Sequence, residues 1–318
     1  MMRRRLEAIV DELKRLKSEG VRTVSLSSES VGRLRAALDA GGLLREERGG
    51  VRRPATGTAV VSRPAAEEKL PDLPAEKPRA PAKKKTASTR MPKGIAPIPS
   101  EPPVVELPEG DKATRWAALR ERVLNCPVCK EHVRPGCQVV FGVGNVDADL
   151  FFVGEAPGAE EEKKGEPFVG AAGELLTRII GAMGLSREQV YIGNIMNWRP
   201  ETAGMSGNRP PTAEEMAFCL PYLRAQIEIV RPKILIALGG TATTGLLGPD
   251  PNRRIGKVRG TWGEFAGIPL MMTFHPSYVL RYASNRVKRT VWEDMLQVME
   301  RAGYEISDKQ RGYFKVKS

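Results

Sequence analysis

Asp149-Leu150-Phe151-Phe152-Val153-Gly154-Glu155-Ala156-Pro157-Gly158 is an apolar run that breaks abruptly into a turn. It is too short for a helix and apolar on both faces, as a strand buried in a parallel sheet is. Gly154 and Gly158, set around Pro157, permit a tight turn whose backbone N–H groups can face a ligand. Similar β-rich runs occupy 190–195, 234–238 and 270–274, and helical patterns fill 171–183, 212–230 and 241–247. Strands alternating with helices predict an α/β fold in three αβα layers around a central, mostly parallel four-stranded sheet. Ligands bind such sheets at the carboxyl ends of their strands. The loops after Val153, Ile195, Leu238 and Phe274 are therefore expected to share one site.

The remainder of the chain is of a different kind. Leu6, Ile9, Val10, Leu13 and Leu16 form one apolar stripe of a short helix, and a second helical stretch is expected over 28–44. Residues 51–110 hold 12 of the 25 prolines, with alanine and lysine between them. That composition favours solvated, extended chain over a packed core. The expected division is a short helical N-terminal segment (1–50), a disordered linker (51–110) and a globular domain (111–318). No apolar run approaches the ~18 residues of a membrane span, and the N-terminus lacks the apolar stretch of a signal peptide. A cytoplasmic protein is expected, with no membrane partner. Four cysteines in 318 residues exclude a small disulfide scaffold.

The net charge of +12 points to a polyanion. Clusters at Arg253, Arg254, Lys257 and Arg259, and at Arg281, Arg286, Lys288 and Arg289, flank the loop that carries His275. They read equally well as the rim of a phosphate-binding cleft or as a merely basic surface. The loop residues are open to two readings as well. Glu155 and Glu161 can orient a water or remain solvated, and Phe168 offers a face for a base to stack on. Asn194 can pair with a carbonyl and a ring N–H together, or simply end its strand. His275 and His132 are the only histidines, and His275 sits at the ligand end of the sheet.

Three of these segments stand in one order: 154–158 (GEAPG) with 167–170 (PFVG), the strand bearing Asn194, and 275–281 (HPSYVLR). With Cys126-x2-Cys129 upstream, they resemble the uracil-DNA glycosylase superfamily over about 113–303, most closely its family 4, the iron–sulfur branch. The resemblance implies a DNA-repair hydrolase of base-excision repair, which cleaves the N-glycosidic bond of deoxyuridine in DNA to release uracil and leave an abasic site. It implies that Phe168 stacks on uracil, Asn194 reads its edge, and Gly154, Ala156 and Gly158 line the pocket. His275 would bond uracil O2, and Glu155 or Glu161 would position water. Leu280 and Arg281 would enter the minor groove, with Arg286, Lys288 and Arg289 on the backbone. Ala156 stands where other branches carry an aspartate as general base.

The resemblance also implies a [4Fe–4S] cluster held by four cysteines. Cys126, Cys129 and Cys219 match three of them, but Trp198 occupies the place of the other. Cys137 is the expected replacement, giving a ligand set of Cys126, Cys129, Cys137 and Cys219; a zinc site, or loss of metal with Trp198 filling the volume, are the alternatives. Uracil-containing DNA is the expected partner of a monomer, with the N-terminal segment free to bind an unknown protein. Two rival functions remain: a catalytically silent DNA-binding or damage-sensing relative, and the uracil-crosslinking branch. That branch pairs GEQPG with an inserted basic loop, and this chain has neither.

Overall fold

A computed structural model describes residues 97–200 and 208–314. The helices expected within 1–50 and the linker up to residue 96 lie outside the described residues. Helices α1 (Lys112–Leu124) and α2 (Pro127–Glu131) come first, then strands β1 (Val143–Gly144) and β2 (Leu150–Gly154). Next are α3 (Ala159–Lys164), α4 (Ala171–Ala182), β3 (Tyr191–Asn194), α5 (Ala213–Val230), β4 (Ile234–Leu238) and α6 (Gly240–Leu247). The chain continues through α7 (Ile255–Val258), β5 (Trp262–Phe265), β6 (Ile268–Thr273), α8 (Pro276–Tyr282), α9 (Asn285–Ala302) and α10 (Asp308–Arg311).

The α/β class holds, and the sheet is wider than expected: six strands in the order β1-β3-β2-β4-β6-β5. The four central strands are parallel, and these are the four read from the sequence. The two additions are antiparallel edges, β1 beside β3 and β5 beside β6. Each edge strand is short and interrupted by glycine (Gly144, Gly263), which removes the apolar run that marks the others.

Strands β2, β3 and β4 are buried throughout because both faces are covered. Along β2 and β4 the side chains alternate. Leu150, Phe152, Ile234 and Ile236 pack with Leu176 and Ile180 of α4 and Met295, Val298 and Met299 of α9. Phe151, Val153, Leu235 and Ala237 pack with Leu223, Ile227 and Val230 of α5 and Ala242 and Leu246 of α6. A period of two thus divides one apolar run between two helical layers. Helix α5 starts where Thr212 and Glu215 form a capping box, a local signal of a helix N-terminus.

The domain begins earlier than residue 111. Ile98, Val105 and Leu107 pack against a third apolar cluster under α1 and α5, and Arg122 donates to the Val104 carbonyl. These few apolar residues, rather than the surrounding prolines, dock the end of the expected linker.

Candidate active site

Strands β3 and β4 lie on either side of β2, and the chain leaves that point in opposite directions. A cleft opens there at the carboxyl ends of the strands, as the topology requires. It encloses about 410 Å³ and takes Glu155, Gly158, Phe168, Asn194, Gly239 and His275 into its walls. All four loops expected to share a site contribute to it.

Phe168 is buried and held in the left-handed region at φ 54°. Non-glycine residues seldom sit there, so the surrounding structure must impose it. Glu161 Oε1 accepts the backbone N–H groups of Val169 (3.0 Å) and Gly170 (2.9 Å). Arg187 donates to the carbonyl of Phe168 at 3.0 Å and to that of Pro167. The ring stands 5.6 Å from the imidazole of His275, centroid to centroid. Beneath it, Gly154 pairs in register with Asn194 across β2 and β3. A Cβ on Gly154 would stand 2.5 Å from Phe168 Cζ, and closer still to Asn194 Oδ1. Gly154→Ala is therefore expected to displace the ring and the amide together. A structure of the variant should show both groups moved while the circular dichroism spectrum stays native.

Asn194 is 7% exposed, and its Oδ1 has no hydrogen-bond partner. A buried acceptor left unpaired costs about 1–3 kcal/mol, so such an atom marks a place where a ligand donor fits. His275 caps the N-terminus of α8. Its Nδ1 accepts the backbone N–H of Ser277 at 3.1 Å, with Ser277 Oγ 2.8 Å away. A backbone N–H can only donate, so Nδ1 is an acceptor and the neutral ring carries its proton on Nε2. Burial pulls the imidazole down from its usual range to about 4, against the opposing pull of Glu161. At neutral pH the ring is an uncharged donor.

The two glutamates separate here. Glu161 is a clamp on the Phe168 loop. Glu155 lines the cleft, is pushed above the usual carboxylate range by burial, and is hydrogen-bonded to Thr241 at the start of α6. Arg187 and Thr241 carry no motif and act from sequence positions far from the groups they hold, so only the fold reveals them; Ser277 sits within the 275–281 segment, but nothing in the sequence marks it as the residue that orients His275. Ala156 also lines the cleft and packs towards the third apolar cluster.

Leu280 of α8 is 41% exposed, an apolar side chain held out beside the cleft, and Arg281 lines the cleft itself. Arg286, Lys288 and Arg289 are exposed on α9, with Arg289 paired to Glu293 at 2.8 Å. The other basic cluster is partly structural. Arg259 turns inward to Asp294, which is fully buried and also accepts from Thr273 Oγ at 2.6 Å.

Cys126, Cys129 and Cys219 meet in the third apolar cluster, with Cys126 and Cys129 hydrogen-bonded to each other and Cys219 accepting the Asn197 backbone N–H. Cys137 does not join them. It is half-buried in a cleft with Lys130 and Arg134, whose walls include Leu124, Val133 and Val139 of that cluster. Among the described residues, no three side chains of His, Cys, Asp or Glu are grouped to hold a metal ion. A [4Fe–4S] cluster takes four thiolates, and the described residues do not present such a set.

A family model described as the uracil DNA glycosylase superfamily matches residues 141–296. A type-4 uracil-DNA glycosylase of Thermotoga maritima is 46% identical over 178 residues, covering 56% of this chain and 89% of that protein. One from Archaeoglobus fulgidus is 40% identical over 166 residues, 50% of this chain and 79% of that protein. One from Pyrobaculum aerophilum is 40% identical over 169 residues, 51% and 83% respectively.

Proposed function

The chain belongs to the uracil-DNA glycosylase superfamily, as a type-4 member, and from that membership we propose that the Phe168–Asn194–His275 cleft is where it works. The protein is a DNA-repair glycosylase, a hydrolase that removes uracil from DNA. The single observation carrying the assignment to this cleft is the unpartnered Asn194 Oδ1 beside the Phe168 ring.

The geometry suits a flipped deoxyuridine, extruded at a cost of a few kcal/mol that a weak pair reduces. The base stacks on Phe168, a contact worth about 1–3 kcal/mol. Asn194 Oδ1 accepts uracil N3–H, and its amide N–H donates to O4. The Nε2–H of His275 donates to O2. As the C1′–N1 bond breaks, its electron pair passes to the base, and this donor stabilises the charge gathering on the uracil anion. Water completes the hydrolysis at C1′. Glu155 orients it and takes its proton, a role that its raised affinity for protons suits. Leu280 fills the vacated stack, Arg281 follows it, and Arg286, Lys288 and Arg289 lie on the flanking phosphates.

No helix among the described residues is long and apolar enough to cross a membrane. Our reading places the enzyme in the cytoplasm as a monomer on DNA, with residues 1–50 available to a protein partner. No step above passes through a metal. The test is excision from a labelled oligonucleotide carrying one deoxyuridine, followed by alkali to cut abasic sites. Strand cleavage is expected; its absence from folded protein, in both single- and double-stranded DNA, favours the silent DNA-binding relative.

A further inference from the structure

The corner of the fold built from α1, α2 and α5 carries an inference beyond uracil excision. In the family's order of cysteines, Trp198 takes the place of one thiolate. The indole is 1% exposed and belongs to the same apolar cluster as Cys126, Cys129 and Cys219. His132 lies against it, tilted, at 4.9 Å between centroids, and Phe218 lies at 6.1 Å, itself 6.3 Å from Tyr222. An indole offers one N–H donor and no lone pair for iron. Its bulk is close-packed with its neighbours, and protein interiors leave few voids larger than a water molecule.

The fourth cysteine is not grouped with the other three, although its cleft shares Leu124, Val133 and Val139 with their cluster. The Cys137 N–H is tied to the Arg134 carbonyl at 2.9 Å. Next to it, the Gln138 N–H bonds the Glu162 carbonyl at 2.7 Å, and Gln138 Nε2 bonds the Lys163 carbonyl at 3.0 Å. Glu162 is buried and binds both Arg134 and, at 2.9 Å, Arg199. The segment bearing Cys137 is thus fastened to α3 by backbone and side chain.

We propose that this chain has replaced the iron–sulfur cluster implied by its family with an aromatic block centred on Trp198, and folds without iron. The three remaining thiols are packing residues of that block. Free cysteine is among the most buried residue types and packs as a small hydrophobe.

The experiment uses the full-length protein, purified without oxygen and then incubated with iron and sulfide under reducing conditions. Expected are no visible charge-transfer absorbance, iron, sulfide and zinc all far below stoichiometric, and a melting temperature unmoved by chelator. A folded Trp198→Cys protein treated in the same way is expected to gain colour with stoichiometric iron and sulfide. Cluster-level iron and sulfide in the wild type overturn the proposal, most pointedly if Cys137→Ala removes them, and so does stoichiometric zinc. A folded Trp198→Cys protein that takes up no iron overturns the claim that the indole excludes the cluster. None of these readouts depends on uracil excision, so this inference and the proposed function fail separately.

Discussion

His275→Ala is expected to lower kcat for uracil excision by about 10²–10³-fold, the usual cost of removing one donor from a developing oxyanion. KM should change little, because the Nε2–H bond to O2 tightens only as charge moves onto the base. The orientation is set before substrate arrives: Ser277 holds Nδ1 as an acceptor, so the pocket-facing nitrogen is the donor. With its pKa pulled down to about 4 by burial, the ring is neutral through the whole ordinary working range. Loss of activity as pH falls should therefore first follow Glu155, whose carboxyl is raised above its usual 4.5. Glu155→Gln should flatten that acid limb, and His275→Ala should leave it in place. Stability follows from the same shift. The unfolded imidazole binds its proton near 6.5 and the folded one near 4, so His275 costs stability as pH falls through 6.5 and nothing above it. Urea melts of wild type and His275→Ala at pH 5 and pH 8 check the sign, with the gap between the two proteins changing only at the lower pH.

The parts of this molecule that were readable in advance are those whose cause is local. Ile234–Leu238 is apolar at every position because it is covered on both faces, and the strand matches its expected bounds. Thr212 announces α5 through its own capping box. Edge strand β5 was not readable: Gly263 and Glu264 break its pattern, and only its hairpin partner β6 makes it a strand. The turn between them, Ala266-Gly267, places both residues at positive φ, a geometry that a two-residue hairpin favours. In the cleft, sequence order brought Phe168, Asn194 and His275 together, but it gave Glu155 and Glu161 equal standing. Their division depends on which oxygen meets the Val169 and Gly170 amides, a matter of a few ångströms in space. Cys137 makes the same point in reverse. It lies eight positions from Cys129, and nothing in that spacing shows that Gln138 and Arg134 pin its loop to another helix.

Asn194→Ala is expected to be the other severe lesion, and of a different kind. The wild-type amide meets two groups of the base, N3–H and O4, in a pocket from which water is excluded. Removing it leaves both unpaired in the buried complex, at about 1–3 kcal/mol each, or roughly 5- to 150-fold per group. Unlike the His275 contact, this pairing exists before the glycosidic bond stretches, so the loss should fall on binding of free uracil as well as on kcat/KM. The free enzyme should not suffer equally. Asn194 Oδ1 is already without a partner there, so alanine removes an unsatisfied acceptor rather than a bond. Melting temperature should hold or rise slightly while uracil affinity, measured by product inhibition, collapses. A variant that lost stability in step with affinity would show that Asn194 serves the β2–β3 junction, where it pairs with Gly154, more than the base. Discrimination supplies the second check. A site that rejects cytosine does so because the Asn194 amide N–H cannot pair with the cytosine amino group, whereas it pairs with uracil O4. Alanine abolishes that distinction, so the ratio of uracil to cytosine affinity should shrink along with the absolute values.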